Sequence, residues 1–187
     1  TATTSFANAN FDDEGNIVSG YITTDTIRGA SGTLKTNSRV DFEDAHPKTS
    51  VTKRFAKDGA TVIDTATTSF ANANFDDEGN IVSGYITTDT IRGSAGKLKS
   101  SSRVDFEDAH PKTSVTKRFA KDGTTVIDTA TTSFANANFD DEGNIVSGYI
   151  TTDTIRGANG KLKSSSRVDF EDAHPKTSVT KRFAKDG

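Results

Sequence analysis

The chain contains no cysteine, methionine or tryptophan and only three prolines among its 187 residues. Without cysteine, a disulfide framework, a thiolate zinc site and a cysteine nucleophile are excluded. Lysine and arginine number 23 against 26 aspartates and glutamates, for a net charge of −3, so no broad cationic surface is available for nucleic acid. No apolar run approaches the roughly 18 residues of a membrane helix. We therefore expect no nucleic-acid partner and no membrane span.

What the sequence has instead is repetition. The stretch SFANANFDDEGNIVSGYITTDTIRG begins at Ser5 and returns unchanged from Ser69 and from Ser133, an offset of 64 residues. A second constant block, RVDFEDAHPKTSVTKRFAKDG, recurs at the same offset from Arg39. A period of this size indicates a repeat architecture. We divide the chain into repeat 1 (1–64), repeat 2 (65–128) and repeat 3 (129–187), the third being five residues short.

The few differences between copies fall near glycine turns or among polar residues. They lie at positions 30, 31, 33, 36, 37 and 60 and at their copies. Light drift at tolerant positions favours recent duplication, and therefore a natural array, over a symmetric design. The chain starts and stops in mid-unit and lacks an initial Met, so we expect it to be a slice of a longer array or a processed product.

Large apolar residues are scarce for an independent domain. Residues 1–64 contain fourteen Phe, Ile, Leu, Val and Tyr in total, and a domain of that size is already marginal. We expect each repeat to share buried surface with its neighbours or to form a very small sandwich. The expected structural anchors are the aromatic and branched residues that recur between turns: Phe6, Phe11, Tyr21, Ile27, Phe42 and Phe55.

The pattern of side chains predicts an all-β fold. Residues 34–43 alternate small or apolar residues with charged or polar ones, as expected of a strand with one half-buried and one wet face. Glycine turns stand at DDEGN (12–16), RGASG (28–32) and KDG (57–59), and DAHPK (44–48) is predicted to be a loop because it contains proline.

We predict tandem 64-residue repeats of antiparallel hairpins, with about four strands each. An open linear array is favoured over a closed threefold ring. Helix is expected at most as a short turn at FEDAH (42–46).

The turn DDEGN contains hard oxygen ligands of the kind that Ca²⁺ prefers. These are Asp12, Asp13, Glu14 and Asn16. Their spacing does not match the twelve-residue helix–loop–helix calcium loop, so a solvated hairpin turn is the favoured interpretation. A weak Ca²⁺ site between neighbouring repeats is the alternative, and no other cofactor is expected.

Several polar groups are candidate sites of chemistry. Asp41, Glu43, Asp44 and His46 lie close in sequence, but one histidine per repeat gives no converging cluster, and a charged strand face accounts for them. No nucleophile elbow or phosphate-binding glycine loop is present. Lys53 and Arg54 are interpreted as charges that protect an edge strand. The asparagines of FANANF are expected to mark a bulge or an Asn ladder, with a Lys–Asn cross-link as a further option.

Near-identical tandem units that are rich in Thr, Lys, Asp and Gly and free of Cys resemble the stalks of bacterial surface and biofilm proteins. The resemblance covers the whole chain but rests on class rather than on a specific motif. It implies a non-catalytic segment of an extracellular stalk, matrix fibre or self-assembling filament at the cell surface, whose partners are copies of itself. Two alternatives remain: a multivalent array that binds a glycan, ice or another surface, and an engineered threefold β protein.

Overall fold

The computed structural model describes residues 1–29 and 32–184. This part of the chain forms one open sheet of twelve strands, in which every strand pairs antiparallel with its neighbours in sequence. The all-β prediction, the four strands per repeat and the open array are therefore confirmed. The strands are β1 (Ala2–Phe11), β2 (Ile17–Arg28), β3 (Thr33–Glu43), β4 (His46–Phe55), β5 (Val62–Phe75), β6 (Ile81–Arg92), β7 (Leu98–Glu107), β8 (His110–Phe119), β9 (Val126–Phe139), β10 (Ile145–Arg156), β11 (Leu162–Glu171) and β12 (His174–Arg182).

Each repeat contributes three hairpins, and in repeats 1 and 2 a fourth hairpin leads into the next repeat. The glycine turns at 12–16 and 57–59 connect β1 to β2 and β4 to β5. The turn at 28–32 connects β2 to β3, although its residues 30 and 31 lie outside the described residues. The repeat boundaries after residues 64 and 128 fall inside β5 and β9, so successive repeats join through a continuous strand.

The turn between β3 and β4 differs from the prediction. It consists of Asp44 and Ala45 alone, whose φ angles of 49° and 64° are both positive, as in the two-residue type I′ turn that matches the twist of a hairpin. His46 and Pro47 consequently lie in β4 and not in a loop, and no helical turn forms at 42–46. Pro47 is tolerated in the strand because it sits at a register shift opposite Phe42.

The sheet is a single layer, and no apolar side chain of the described residues is buried. The four buried residues within 1–29 and 32–184 are all polar: Asp64, Thr65, Asp128 and Thr129. The very small sandwich, one of the two expectations for the apolar residues, is therefore wrong. The alternation along 34–43 is confirmed, because every exposed residue of β3 lies on the predicted wet face. Along β3 the exposed residues are Lys35, Arg39 and Glu43, and the others are half-buried. Both faces remain open to solvent because no second layer lies over either of them.

The predicted anchors contact their neighbours within this layer. Tyr21, Ile27, Phe42 and Phe55 are half-buried. On the edge strand β1, Phe6 is 49% exposed and Phe11 is 50% exposed. Their copies on β5, Phe70 and Phe75, are half-buried because β4 lies beside them. These residues are thus covered by lateral neighbours and do not form a central core.

The FANANF segment forms the bulge that its asparagines predicted. Ser5 pairs with Thr23, whereas Asn8 pairs with Tyr21, so β1 has an additional residue opposite β2. Gly20 faces this bulge with a φ of +87°, and a Cβ there would lie 2.1 Å from the carbonyl oxygen of Asn8. Glycine is required at this position by both the backbone conformation and the close approach. The same arrangement recurs at Gly84 and Gly148.

Replacing the bulge glycine should destabilise the sheet more than replacing a turn glycine of equal φ. Gly79 has a φ of +85° and open space around it, so Gly79→Ala should lower the free energy of unfolding by the left-handed penalty alone, about 1–2 kcal/mol. Gly84→Ala adds the clash with the Asn72 carbonyl, for an additional loss of about 1–3 kcal/mol. Chemical denaturation of the two variants tests this, and equal losses would contradict the proposed close packing.

Candidate functional site

The most buried side chains of the described protein lie where one repeat meets the next. Asp64 of β5 is 6% exposed, and its copy on β9, Asp128, is 3% exposed. Asp64 accepts a hydrogen bond from Arg54 Nε of β4 at 2.9 Å and another from Lys99 Nζ of β7 at 2.8 Å. We call this group the junction clamp. Its members are Arg54, Asp64 and Lys99 between repeats 1 and 2, and Arg118, Asp128 and Lys163 between repeats 2 and 3.

Strand register explains how these three charges meet. Arg54 and Asp64 are direct cross-strand partners in the β4–β5 hairpin, and such pairs have their Cβ atoms about 4.5–5.5 Å apart. Lys99 is the additional residue at the bulge where the pairing shifts from Thr90–Ser100 to Ile91–Leu98. One carboxylate thus connects β4, β5 and β7, which belong to two successive repeats.

The clamp lowers the pKa of the aspartate. Hydrogen bonds from Arg118, and then from Lys163, hold the pKa of Asp128 at about 2 against the opposing effect of burial. The pKa of Asp64 is lowered for the same reason, with Arg54 as the largest cause. In the described residues no buried side-chain nitrogen or oxygen lacks a hydrogen-bond partner. The buried charge is therefore fully satisfied, which is the condition for tolerating it.

Two further contacts support the junction. The Thr65 hydroxyl donates to the Gly93 carbonyl at 2.9 Å next to the clamp. Near the other end of the same hairpin, the His46 ring stacks on Phe75 with a centroid distance of 4.6 Å. The copy of this ring pair, His110 and Phe139, stacks at 4.4 Å. Each junction is thus held near both ends of its strands.

Inside each repeat a different arginine joins the strands. Arg28 at the end of β2 donates to the carbonyl oxygens of Leu34 and Ala56, both at 2.7 Å, and to that of Phe55 at 2.6 Å. Its copy Arg92 donates to Leu98 and Phe119. The guanidinium therefore binds the start of the third strand and the end of the fourth. The Arg28 side chain was not singled out from the sequence, because its carbonyl partners are set by tertiary structure.

The calcium candidates do not gather around a common point. The Asp12 carboxylate accepts hydrogen bonds from the backbone N–H groups of Asn16 at 2.7 Å and Glu14 at 3.1 Å, and from the Asn16 side chain at 3.1 Å. These bonds, led by the Asn16 N–H, lower the pKa of Asp12. Within 1–29 and 32–184, no three His, Asp or Glu side chains are placed to hold a metal ion. Asp12 and Asn16 bond to each other across the turn. Asp13 and Glu14 remain exposed beside it.

One face of the sheet presents a recurrent polar and aromatic group. The Arg39 guanidinium lies 3.6 Å from the centre of the Tyr21 ring, and its Nε donates to Asp41 at 2.9 Å. The Thr49 hydroxyl also donates to Asp41, at 3.2 Å. In repeats 2 and 3 the same group borders a shallow groove. The groove of repeat 2 is lined by Thr87, Ser101, Ser102, Arg103, Asp105, Val115 and Lys117.

The fold separates the four polar residues that lie close in sequence at 41–46, namely Asp41, Glu43, Asp44 and His46. Asp41 pairs with Arg39, and Glu43 with Lys48. Asp44 forms the β3–β4 turn, and His46 stacks on Phe75 of the next repeat. These four side chains have separate partners and do not form an acid–base pair.

The interpretation of Lys53 and Arg54 as edge protection is wrong. β4 pairs with β3 on one side and with β5 on the other, so it is not an edge strand. The arginine serves instead as the first cation of the clamp. The sequence does place Arg54 and Asp64 on either side of the KDG turn. To predict that the two side chains pair, however, the exact length of the loop between their strands must be known.

Comparisons of the chain with protein-family models, curated proteins and solved structures found no match. In the described residues no helix has the length and apolar character needed to cross a membrane.

Removing the clamp charge should destabilise the protein more than removing an exposed charge. Asp128→Asn leaves Arg118 and Lys163 without their anion and should lower the free energy of unfolding by about 1.5–3 kcal/mol. The matched control is Glu107→Gln, which breaks an ion pair with Lys112 whose side chains are more than half exposed and which should cost about 0–1 kcal/mol. Urea denaturation gives the free energy of unfolding of both variants. Similar losses would show that the clamp stabilises the protein no more than an exposed ion pair does.

Stability should also fall in acid through the same residue. Because the pKa of Asp128 is about 2 in the folded protein and about 3.9 in an unfolded chain, its ionisation stabilises the fold above the higher value. That contribution is lost as the pH falls towards 2. Denaturation curves between pH 7 and pH 2 should show a steeper loss for the wild type than for Asp128→Asn. Parallel pH profiles would contradict the assignment.

Proposed function

We propose that this chain is a non-catalytic structural segment, a spacer that lengthens by one four-stranded unit per repeat in an extracellular stalk or filament. The observation that carries this proposal is the sheet order, in which twelve strands follow one another from β1 to β12 without closure. Each repeat therefore adds its full width to the array. At a strand spacing of about 4.8 Å, one repeat adds about 19 Å across the sheet.

The junctions favour a continuous element over separate beads. β4 and β5 pair over seven register positions and are joined by a short turn, so no flexible linker separates the repeats. The clamp adds an ionic contact that reaches β7 of the following repeat. A spacer needs such lateral continuity, because bending at every junction would shorten its end-to-end reach.

The partners of the acidic side chains favour a structural role over a catalytic one. The carboxylates with lowered pKa values have assigned partners, as with Asp128 in the clamp and Asp12 in its turn. A nucleophile needs a positioned base beside it, and a general base must be free to take up a proton. The extracellular setting rests on the resemblance to bacterial surface stalks.

The proposal is tested by changing the number of repeats in the full chain. Inserting one or two further 64-residue copies should increase the maximum dimension measured by X-ray scattering by about 19 Å each, the width of four strands. The measurements are made at dilutions where the scattering mass equals one chain. A radius that grows as for a compact globule would overturn the proposed spacer.

A second candidate function is multivalent binding through the repeated groove, and the stack of an exposed arginine on a half-buried tyrosine favours it. Arg103 lies 3.5 Å from the centre of the Tyr85 ring, and Arg167 lies 3.6 Å from that of Tyr149. Planar cations and aromatic faces are the groups that bind flat or hydroxyl-rich ligands. The other face carries hydroxyl pairs such as Thr68 and Thr88, but these bond to one another at 2.8 Å.

Retention on insoluble cellulose is a direct probe of this second function. The double variant Arg103→Ala, Arg167→Ala should lose retention, whereas Lys112→Ala, which removes a cation paired with Glu107 outside the groove, should keep it. Absence of binding by the wild-type chain would count against a glycan-binding array and leave the spacer proposal unaffected.

A further inference from the structure

The turns of the sheet form two rows on opposite sides, and the two rows carry opposite charge. The turns after odd-numbered strands lie on one side, and those after even-numbered strands lie on the other. We call residues 12–16 and 43–48, with their copies, the acidic rim. Residues 28–29, 32–35 and 54–64, with their copies, are the basic rim.

Repeat 2 shows the separation most fully. Its acidic rim has five carboxylates against one lysine, namely Asp76, Asp77, Glu78, Glu107 and Asp108 against Lys112. Its basic rim has five cations against two carboxylates, namely Arg92, Lys97, Lys99, Arg118 and Lys121 against Asp122 and Asp128. The small net charge of the whole chain therefore conceals a large difference between the two sides of the sheet.

The two rims cannot neutralise each other within one molecule. The strands between them are mostly 10 to 12 residues long, which corresponds to about 35 Å at about 3.4 Å per residue. Charges in water are largely screened beyond about 10 Å at 0.1 M salt. Each rim therefore retains its own charge and attracts a partner of the opposite sign.

A cleft opens in the acidic rim at each junction between repeats. Three successive turns line the first cleft, through Asp12, Asn16, Ala45, His46, Asp77, Glu78 and Gly79. The corresponding residues line the second cleft, namely Asp76, Asn80, Ala109, His110, Asp141, Glu142 and Gly143. The volumes are about 550 Å³ and about 330 Å³. Neither lining includes a lysine or an arginine, so the positive charge that balances the carboxylates must come from the occupant.

Two carboxylates of the first cleft are available to an occupant. Asp12 bonds to Asn16 in its own turn. The side chains of Asp77 and Glu78 are exposed and take part in no hydrogen bond or ion pair among the described residues. A lysine ammonium, a compact charge with three donors on a flexible stem, can bond to separate carboxylates of this kind.

The basic rim presents such a lysine once per repeat. Lys57 and its copy Lys121 are exposed in the KDG turns and have no hydrogen bond or ion pair within 1–29 and 32–184. The neighbouring Asp58 carboxylate accepts hydrogen bonds from the N–H groups of Ala60 and Thr61, both at 2.9 Å. Asp58 is thus bound within its own turn, and the lysine beside it keeps an unpaired charge.

We propose that the KDG lysines of one molecule enter the acidic clefts of a second copy, so that the repeat arrays associate side by side. The inference rests on the proposed structural function and adds a lateral partner to the spacer. Because one rim meets the other, each molecule keeps a free rim of each kind, and such a contact generates open stacks rather than closed dimers.

The common repeat period makes the contact multivalent. Lys57 and Lys121 are one repeat apart, as are the two clefts, which corresponds to about 19 Å across four strands. A single exposed ion pair is weak. Once one lysine is bound, however, the second cleft meets its lysine at a high effective concentration. Association should therefore strengthen when further 64-residue copies are inserted.

Charge reversal on each rim tests the assignment. The turn variant combines Lys57→Glu with Lys121→Glu, and the cleft variant combines Asp77→Lys with Asp141→Lys. The matched control combines Asp89→Lys with Asp153→Lys, which repeats the charge change of the cleft variant at exposed positions in the middle of β6 and β10. Sedimentation velocity at low ionic strength gives the oligomer size, and circular dichroism verifies that each variant keeps its sheet.

The wild type and the control should form oligomers that grow with concentration and dissociate as salt is added. The turn variant and the cleft variant should each remain monomeric. Their equimolar mixture should form heterodimers and nothing larger, because only the clefts of the first and the lysines of the second are intact. Oligomers formed by either variant alone, or loss of association in the control, would overturn the proposal.

A wild type that stays monomeric at low ionic strength would also overturn it. If that monomer binds poly-lysine and the cleft variant does not, the clefts serve another cationic partner and not a second copy. The length added per repeat, measured by scattering at high salt where stacks dissociate, would still test the spacer function separately.

Discussion

Within the described residues each strand is held by the strands beside it and by a few long side chains that reach one strand further, because no second layer covers either face of the sheet. This constraint explains why the described residues include no buried apolar side chain and why an edge residue such as Phe11 is exposed while its copy Phe75 is not. Stability must come from the ladder of backbone hydrogen bonds and from cross-strand contacts on both faces. Long side chains such as Arg39 over Tyr21 supply part of the cover that a core would otherwise give.

At the junction clamp, contacts from neighbouring strands are dense enough to bury a charged side chain, that of Asp64 or Asp128. Asp64 of β5 forms an ion pair with Arg54 of β4, the strand on one side. On the other side it forms an ion pair with Lys99 of β7, which lies beyond β6. A one-residue slip in the pairing would move the aspartate to the opposite face, away from both cations. The clamp thus helps to fix the register within each junction. It cannot distinguish one repeat from another, since the copies are identical there.

Linear growth by added repeats follows from this single-layer geometry. Because the sheet neither closes nor covers its edges, a further strand of the appropriate sequence extends it in the way that the next repeat does. Natural sheets blunt such edges with charge, bulges or proline. Here Pro175, Lys176, Lys181 and Arg182 lie on β12, but the identical strands β4 and β8 show that this set is compatible with pairing.

The sequence by itself determined the period, the strand class and most of the turns, because these depend on local composition: glycine where φ is positive, alternation along 34–43, and an asparagine-rich segment that bulges. It also indicated an open array, because repeats that are poor in apolar residues cannot each enclose a core. Only the tertiary structure decided which residues became buried. Arg54 and Asp64 are ten residues apart, and Lys99 lies in the next repeat, so their meeting depends on hairpin length and on a bulge that no local pattern specifies. The fold likewise placed His46 against Phe75 and left both faces uncovered, since these outcomes depend on how strands stack side by side and not on any one strand.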